Sequence, residues 1–317
     1  MLRDCELCFN AKQANESYSS GATFFVRASE APKCTVERLA LEIFAFHTRD
    51  VQDMDLGSSG AEWWVLRIDP RDDVGFHWDR DYGLEEKGDL KYPTCATVTY
   101  LSAVGGATIV TGLRGKEGSP CEIDRESFSE YAISSVLPYK HIAFRGDLLH
   151  GAPCDMYTDE EEDSVEAEGS LRITFLVNVW VNHIPQQPTR LSYKMHGRLS
   201  NLPTDEVAMA FSEVMPSNLR IAHDARSTSP SYQGDIIQGD KSYLLAFSLP
   251  SRQDILKELE SSDSVIVSSL SDIGHITLQK SQMKSSESKR SQKSSSFSKR
   301  KRANRTASGP RKRNQHR

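Results

Sequence analysis

The chain has 317 residues, 38% of them hydrophobic, and a formal net charge of −5, which fits one or two domains with a buried core. No apolar run approaches the roughly 18 residues of a membrane-spanning helix, and the first residues lack the apolar core of a signal peptide, so we expect neither a membrane protein nor a secreted one. The six cysteines have no framework spacing, which predicts reduced intracellular thiols rather than disulfides.

Two features precede the first predicted strand. Cys5 and Cys8 form a C-x-x-C pair, but no second Cys or His pair follows at zinc-finger spacing, so we expect two ordinary thiols near a loose terminus. Apolar residues recur at helical spacing after Thr35, a capping-type residue. This pattern predicts a helix over residues 35–47 that packs against a sheet.

The stretch around which the chain is organised is G-F-H-W-D at residues 75–79, which follows a predicted strand over 61–68. Because side chains alternate along a strand, His77 and Asp79 point to one face and Trp78 to the other. An imidazole and a carboxylate on one face can bind a single metal ion. The charged residues 80–91 are expected to form a loop beside the mouth of that site.

Turn residues predict two hairpins downstream. Strands over 94–101 and 107–113 are expected to join across Gly105 and Gly106, since a glycine pair supplies the positive φ of a tight turn. Strands over 132–137 and 141–144 are expected to form a second hairpin around Pro138.

Two histidines are candidates for a third metal ligand. His141 begins a strand directly after a turn that contains Pro138, where a solvated histidine is common. His150 instead follows a G-D-L-L turn and precedes G-A-P, and this position is favoured. Two histidines and one carboxylate on one side of an ion form the facial triad typical of non-haem Fe(II) oxygenases.

The predicted strand over 171–181 carries a cation in an apolar context. Arg172 and Thr174 share one face, and a buried guanidinium is costly unless an anion compensates it. A dicarboxylate ligand would do so, because a guanidinium binds a carboxylate bidentately. The alternative is an ion pair with a carboxylate from the acidic insertion at 159–169, which is expected to be a mobile surface loop.

The many short strands predict a mainly β fold with flanking helices, built on an antiparallel double-sheet barrel, the jelly roll of cupin-like proteins. After residue 185 the pattern predicts helices over 204–215 and 252–259 and strands over 243–249 and 264–270. Four regions are therefore expected: 1–58, an N-terminal segment with a packing helix; 59–185, the jelly-roll domain; 186–280, an α/β extension; and 281–317, a tail.

The tail differs in charge from the rest of the chain. It holds 13 of the 39 basic residues and one acidic residue, which leaves the first 280 residues with 26 basic and 43 acidic side chains, a charge of −17. A segment rich in Ser, Lys and Arg cannot bury enough apolar surface to fold alone, so we expect disorder. Basic blocks at 289–290, 299–302 and 311–313 predict nuclear import, with binding to an import receptor or to nucleic acid, although a merely solubilising tail remains an alternative.

The motifs between residues 62 and 185, in their order, resemble the 2-oxoglutarate/Fe(II)-dependent dioxygenases, and within them the prolyl-4-hydroxylase-like catalytic domain. The resemblance rests on H-x-D at His77 and Asp79, on Tyr-Leu followed by Gly-Gly, on His150, and on R-x-T at Arg172 and Thr174. The step from His150 to Arg172 is longer than is usual in the family, and the acidic insertion accounts for the extra residues.

The resemblance implies an enzyme that binds Fe(II) through His77, Asp79 and His150 and uses 2-oxoglutarate as cosubstrate, with ascorbate as a candidate reductant. It implies that Arg172, Thr174 and Tyr100 hold the cosubstrate, although a core role for Tyr100 is an open alternative. Gly105 and Gly106 are interpreted as turn residues with no further role. The expected reaction consumes O2 and hydroxylates a substrate, with a protein, and prolyl groups in particular, as the first candidate.

Two other classes of function remain open. A cupin-like metal protein without oxygenase activity would keep His77, Asp79 and His150 but would have no need of Arg172. A catalytically inactive nuclear or nucleic-acid-associated adaptor would act through the tail. Dependence on 2-oxoglutarate separates the first of these from the oxygenase, and salt-sensitive nucleic-acid binding by the tail tests the second. Localisation is expected to be nuclear or cytoplasmic, with the basic tail favouring the nucleus.

Overall fold

The computed structural model describes residues 1–13, 23–118, 123–124, 130–153, 171–201, 217–221, 232–238, 241–247, 264–269 and 279–280. The helices in these ranges are α1 (Leu2–Gln13), α2 (Thr35–Thr48), α3 (Tyr82–Glu85) and α4 (Tyr193–His196). The strands are β1 (Phe24–Arg27), β2 (Gly60–Ile68), β3 (Val74–His77), β4 (Cys95–Tyr100), β5 (Thr108–Gly115), β6 (Ile123–Asp124), β7 (Glu130–Ser134), β8 (His141–Arg145), β9 (Leu148–Ala152), β10 (Arg172–Trp180), β11 (Ser217–Ile221), β12 (Tyr232–Gln238), β13 (Lys241–Phe247), β14 (Ser264–Ser269) and β15 (Gln279–Lys280). The protein is thus mainly β with few helices, as the sequence predicts.

Two large sheets dominate the described part of the chain. The first has the strand order β1-β2-β10-β4-β8, and all of its neighbouring strands are antiparallel. The second has the order β11-β14-β7-β5-β9-β3, is antiparallel except for the β11–β14 pair, and carries β6 beside β5. A small third sheet joins β12, β13 and β15. The inner faces of the two large sheets meet where Phe144 of β8 contacts His150 of β9, with ring centroids 4.8 Å apart.

The alternation of side chains along β10 divides the core into two parts. Phe175, Val177 and Val179 point to the outer face of the first sheet, where they belong to the same buried cluster as residues of α1 and α2. Arg172, Thr174 and the other even-numbered residues point to the inner face, toward the second sheet. The outer face therefore supplies apolar burial, and the inner face is available for chemistry.

The N-terminus differs from the prediction of a loose segment. Residues 2–13 form α1, and both Cys5 and Cys8 are buried in the cluster that includes α2 and the first sheet. The predicted helix over 35–47 is confirmed as α2, except that Cys34 occupies the N-cap position and Thr35 is the first helical residue. The Thr35 hydroxyl donates instead to the carbonyl of Ser200 at 2.9 Å.

Both predicted hairpins are wrong, although their strands are present. β4 pairs with β10 and β8 in the first sheet, whereas β5 pairs with β7 and β9 in the second. Likewise β7 belongs to the second sheet and β8 to the first. The glycine pair and the turn at Pro138 therefore carry the chain from one sheet to the other. Turn residues fix local backbone geometry, but they do not determine which strand becomes the hydrogen-bonded neighbour.

The region after residue 185 contributes strands to the body of the protein. β14 pairs with β7 at the edge of the second sheet, and β13 and β14 confirm the two strands predicted in this region. The helices predicted over 204–215 and 252–259, the acidic insertion at 159–169 and the tail at 281–317 lie outside the described residues. Among the described helices, none has the length and apolar character needed to cross a membrane.

A pair of histidines joins α2 to the outer face of the first sheet. His141 Nε2 lies 2.9 Å from His47 Nε2, and His141 Nδ1 lies 2.8 Å from the Thr99 hydroxyl. Burial, and then the charge of His47, lowers the pKa of His141 from its ordinary value of 6.5 to about 4. The folded protein therefore keeps this ring neutral at pH values where the unfolded chain binds a proton.

We expect the free energy of unfolding to fall as the pH is lowered from about 6.5 to about 4, because the unfolded state binds more protons in this window. The contribution of His141 is about 3 kcal/mol for a shift of this size. Urea unfolding of the wild type and of His141→Gln, at pH values above and below the window, measures it. Since Gln cannot titrate, an equally steep pH dependence in that variant would contradict the assignment to His141.

Candidate metal centre

Three potential metal ligands converge at one edge of the second sheet. β3 and β9 are antiparallel neighbours in which His77 lies opposite His150, so both rings point to the same face, with centroids 4.5 Å apart. Asp79 follows two residues after His77 and places its carboxylate between the rings, with Oδ1 3.6 Å from His77 Nε2 and Oδ2 3.7 Å from His150 Nε2. The three residues could hold one metal ion, since their ligand atoms all lie within 4.8 Å of one another.

Backbone carbonyls orient both imidazoles for metal binding. Nδ1 of His77 lies 2.8 Å from the carbonyl oxygen of Gly75, and Nδ1 of His150 lies 3.1 Å from that of Leu148. In this arrangement Nδ1–H donates to the carbonyl, which leaves the Nε2 lone pair directed at the carboxylate side. Fixing the ring through its second nitrogen is the usual way in which proteins position histidine ligands.

The electrostatics of Asp79 and His150 suit a cation, whereas Asp79 outweighs burial and raises the pKa of His77, so that a metal ion has to displace a proton there. Burial opposes ionisation of Asp79, but the neighbouring His150 and His77 hold the pKa of this carboxyl below its usual range. Burial, followed by the charge of His77, lowers the pKa of His150 to about 4, so this ring is neutral at neutral pH. An ionised carboxylate and a neutral imidazole are the forms that bind metals. His77 has 37% of its side chain exposed, so the group opens to the surface on its side.

His141, the rival ligand in the sequence, lies elsewhere. In β8 it pairs with Thr99 of β4, and its ring contacts His47 of α2 on the outer face of the first sheet. The inner face of β8 carries Phe144 instead, which packs on His150. The structure therefore brings together His77, Asp79 and His150 and separates His141 from them by the thickness of a sheet.

A buried polar network behind Asp79 was not anticipated from the sequence. The side chain of Asn178 lies beside Asp79 and Glu62 and acts to lower the pKa of both carboxyls, although its Oδ1 has no hydrogen-bond partner. Glu62 also accepts hydrogen bonds from Thr23 Oγ1 at 2.6 Å and from Trp180 Nε1 at 2.8 Å. Burial raises the pKa of Glu62 to about 7 in spite of these donors. The sequence contained a signal for this network. Asn178 lies an even number of residues from Arg172 and Thr174, so it is a polar residue on the same face of an otherwise apolar strand.

The loop after Asp79 is tied down at its base. Asp81 caps the short helix α3 by accepting from the backbone N–H groups of Gly83 and Leu84. The same carboxylate accepts from the backbone N–H of Gln186 and lies 2.9 Å from His183 Nε2. The predicted charged loop thus contains a helical turn, and its attachment to residues 183–186 fixes the backbone that carries Asp79.

Arg172 is a buried cation with an incomplete set of partners. It is 4% exposed, and its Nη2 donates to Thr108 Oγ1 at 3.3 Å while its Nε has no hydrogen-bond partner. Its guanidinium carbon lies 5.8 Å from the ring centroid of Tyr100, whose hydroxyl donates to the same Thr108 oxygen at 2.7 Å. The buried hydroxyl of Thr174 is also without a partner. Within the described ranges, no carboxylate forms an ion pair with Arg172.

Gly105 has a role beyond the turn assigned to it from the sequence. Its φ is +104°, and an added Cβ would lie 2.5 Å from Cδ and 2.8 Å from Cγ of Arg172. The absence of a side chain at this position therefore makes room for the aliphatic part of Arg172. Glycine is required here both for the backbone conformation and for the close approach.

Arg172 contacts the same face of the second sheet that carries His150. Val110 of β5 lies opposite His150, and Thr108, two residues earlier, shares its face. Two residues of strand span about 7 Å, and neighbouring strands lie about 5 Å apart. The Thr108 hydroxyl, which contacts Arg172 and Tyr100, therefore lies close enough to the His-Asp-His group for one small molecule to reach both.

Comparison of the chain with protein-family models, with curated proteins and with solved structures finds no match. The ordered set of motifs that resembles the dioxygenases therefore remains a prediction. The geometry of the site and the chemistry of its residues are the grounds on which a function can be proposed.

We expect His77→Ala, Asp79→Ala and His150→Ala each to abolish stoichiometric uptake of Fe(II), because each removes one of three ligands. His141→Ala, on the opposite face of the sheet, is the matched control and should bind normally. Metal content after anaerobic loading and gel filtration measures the effect. Loss of metal in the His141 variant alone would show that the ligand set is wrongly assigned.

Proposed function

We propose that this protein is an Fe(II)- and 2-oxoglutarate-dependent dioxygenase of the prolyl-4-hydroxylase-like type, and that its two large sheets form a jelly-roll core. The observation that carries the proposal is Arg172, a buried cation without an anion among the described residues, whose partner Thr108 shares a strand face with the residue opposite His150 of the His-Asp-His group. A ligand that chelates a metal at one end and presents a carboxylate at the other would join the two features.

The fold supports this assignment. Consecutive strands cross from one sheet to the other at the Gly105 turn, at the Pro138 turn and between β8 and β9. Repeated crossing between two antiparallel sheets is the connectivity that distinguishes a jelly roll from a meander of hairpins. It also explains why the ligands and the cation, although distant in sequence, come from inner faces that oppose each other.

The donor set also fits the metal. Two imidazole nitrogens and one carboxylate on one side suit Fe(II) and leave coordination positions for other ligands. Asp79 supplies the negative charge, and His77 and His150 bind through Nε2 with their Nδ1 atoms held by backbone carbonyls. Asn178, which acts to lower the pKa of Asp79, restrains the carboxylate from behind, so that little reorganisation is needed when a metal binds.

We assign Arg172 to the distal carboxylate of the cosubstrate. Its Nε and the Thr174 hydroxyl are the unpartnered buried donors on this face, and a charge-assisted pair would satisfy both. Tyr100 and Thr108 hold the guanidinium in place through the ring contact and the shared hydroxyl. Tyr100 thus acts through Arg172, rather than as the direct cosubstrate ligand that the resemblance implies.

When bound, Fe(II) and 2-oxoglutarate supply the oxidising chemistry: O2 is consumed, the cosubstrate loses CO2 to become succinate with one oxygen atom, and the other oxygen enters a substrate C–H bond. The residues of this chain bind and orient these groups and exclude water from the inner face. We propose a protein side chain, with proline as the first candidate, as the substrate, because the site is reached from the surface beside the partly exposed His77.

We expect Arg172→Met to weaken 2-oxoglutarate binding by about 3 kcal/mol, roughly a hundredfold, because a buried charge-assisted bond is lost. Metal binding should be retained. The ligand-free variant should be as stable as the wild type or more so, since an uncompensated buried charge is removed. Calorimetric titration of 2-oxoglutarate into the Fe(II)-loaded protein and urea unfolding of the ligand-free protein measure the two effects.

Arg145→Gln is the matched control, because Arg145 is exposed and pairs with Asp147 on the surface. The same proteins, incubated with Fe(II), ascorbate and 2-oxoglutarate under air, should form succinate in the wild type and the control but not in Arg172→Met. Metal binding with no affinity for 2-oxoglutarate would contradict the proposal and favour a cupin-like metal protein. Unchanged cosubstrate affinity in Arg172→Met, together with lower stability, would return Arg172 to a structural role.

We also propose that the tail directs the protein to the nucleus. A fluorescent reporter fused to residues 281–317 should accumulate there, because the basic blocks at 289–290 and 299–302 have the spacing of a bipartite import signal. The same fusion with residues 299–302 changed to alanine is the control. An even distribution of both reporters through the cell would contradict import and leave the tail a solubilising segment.

A further inference from the structure

A second group of metal-binding side chains lies at the helices on the outer side of the first sheet. Cys34 immediately precedes α2, Glu37 lies in its first turn, and His196 ends α4. Their ligand atoms all lie within 4.8 Å of one another. The nearest pair, His196 Nε2 and Glu37 Oε1, is 3.0 Å apart although the residues are 159 positions apart in the chain. No short sequence motif could have connected them.

Separate hydrogen bonds hold this meeting point together. The carbonyl of Ser200 accepts from the backbone N–H of Thr35 at 2.8 Å and from its hydroxyl at 2.9 Å. The backbone N–H and hydroxyl of Ser200 both donate to Asp4 Oδ1, each at 3.2 Å. The first turn of α1, the start of α2 and the segment after α4 are thereby fixed to one another. The convergence of Cys34, Glu37 and His196 follows from the packing of three elements.

The C-x-x-C pair of α1 is a neighbour of this group and not a part of it. Cys8 is 1% exposed and belongs to the same buried cluster as Cys34, but it is not among the residues whose ligand atoms lie within 4.8 Å of one another. Burial, followed by the neighbouring Cys5 and Cys34, raises the pKa of Cys8 to about 12. The pair is therefore not needed for the site.

The surroundings of these side chains lack a compensating cation. Asp4 and Glu37 are 1% and 6% exposed, and Asp4 Oδ2 has no hydrogen-bond partner. Across the described ranges, neither carboxylate forms an ion pair with a lysine or an arginine; Glu37 lies against His196 and accepts from the backbone N–H of Lys33 at 2.8 Å. Buried carboxylates are costly unless they are paired or coordinate a metal. Burial raises the pKa of Cys34 to about 11, against the effect of the backbone N–H groups at the start of α2, so a metal ion has to displace its proton.

We propose that Cys34, Glu37 and His196 bind one divalent ion of the zinc class, which joins the start of α2 to α4. Thiolate, imidazole and carboxylate groups are the donors that zinc takes in proteins. Three protein ligands leave the fourth tetrahedral position to a water molecule. Binding displaces the thiol proton of Cys34 into solvent. The site does not depend on the function proposed above, because it lies on the opposite side of the first sheet from His77, Asp79 and His150.

The experiment uses the full chain with His77, Asp79 and His150 all changed to alanine, so that only the second site can bind metal. We expect this protein to retain one zinc ion per chain after dialysis against a weak chelator, as measured by elemental analysis. Loading with Co(II) should give a sulfur-to-metal charge-transfer band in the near ultraviolet. The His-Asp-His group contains no sulfur and cannot produce that band, so the two sites are distinguished in the unmutated chain as well.

In the same background, Cys34→Ser and His196→Gln should lose the zinc and the charge-transfer band. Cys95→Ser is the matched control, since Cys95 is a thiol in β4 whose pKa burial likewise raises to about 12 and which is not part of the group. A folded triad variant that retains no zinc, or a Co(II) spectrum without the sulfur band, would overturn the proposal. If Cys34→Ser does not fold, the spectrum of the unmutated chain decides.

Discussion

The organisation of the molecule depends on the burial of β10, the strand that carries Arg172. This strand pairs along both edges, with β2 and β4, and is covered on both faces, so its side chains have almost no access to water. An apolar residue at each position would satisfy that constraint at least cost. β10 instead places Arg172, Thr174 and Asn178 on its inner face, and each of these polar groups requires a partner there. The inner face can satisfy them only with other buried polar groups or with a ligand.

The two ends of β10 meet this requirement in different ways. At Asn178 the neighbours are protein groups: Asp79, and Glu62, which accepts from Trp180; the Oδ1 of Asn178 itself has no partner. At Arg172 the described residues provide one hydroxyl and an aromatic face, and no anion. A buried guanidinium left in this state lowers the stability of the ligand-free protein by several kcal/mol. Binding of an anion restores that stability by mass action, which is the expected signature of a site selected for its ligand rather than for the fold.

The parts of this arrangement that the sequence predicts are those governed by local periodicity. Helix α2, the strand that carries Arg172, and the shared face of His77 and Asp79 all follow from spacings of two or of three and four residues. The pairing of strands did not follow, because Gly105 and Pro138 specify that the chain turns without specifying which sheet it enters. The contacts of His196 with Glu37 and of Glu62 with Trp180 were equally inaccessible, since these partners lie more than a hundred residues apart in sequence. Only packing of the whole chain brings such groups together.

The two faces of β10 are mechanically linked, because alternate residues of one strand line both. Phe175, Val177 and Val179 pack in the cluster that contains α1, α2 and Cys34, while the residues between them face the His-Asp-His group. Any movement of the helices across the outer face would shift the backbone that positions Arg172 and Asn178 on the inner face. Cross-linking α2 and α4 through a metal ion would therefore do more than stabilise the ends of these helices. It would also limit the movement of β10, whose inner side chains have to be positioned to within a fraction of an ångström to bind a ligand.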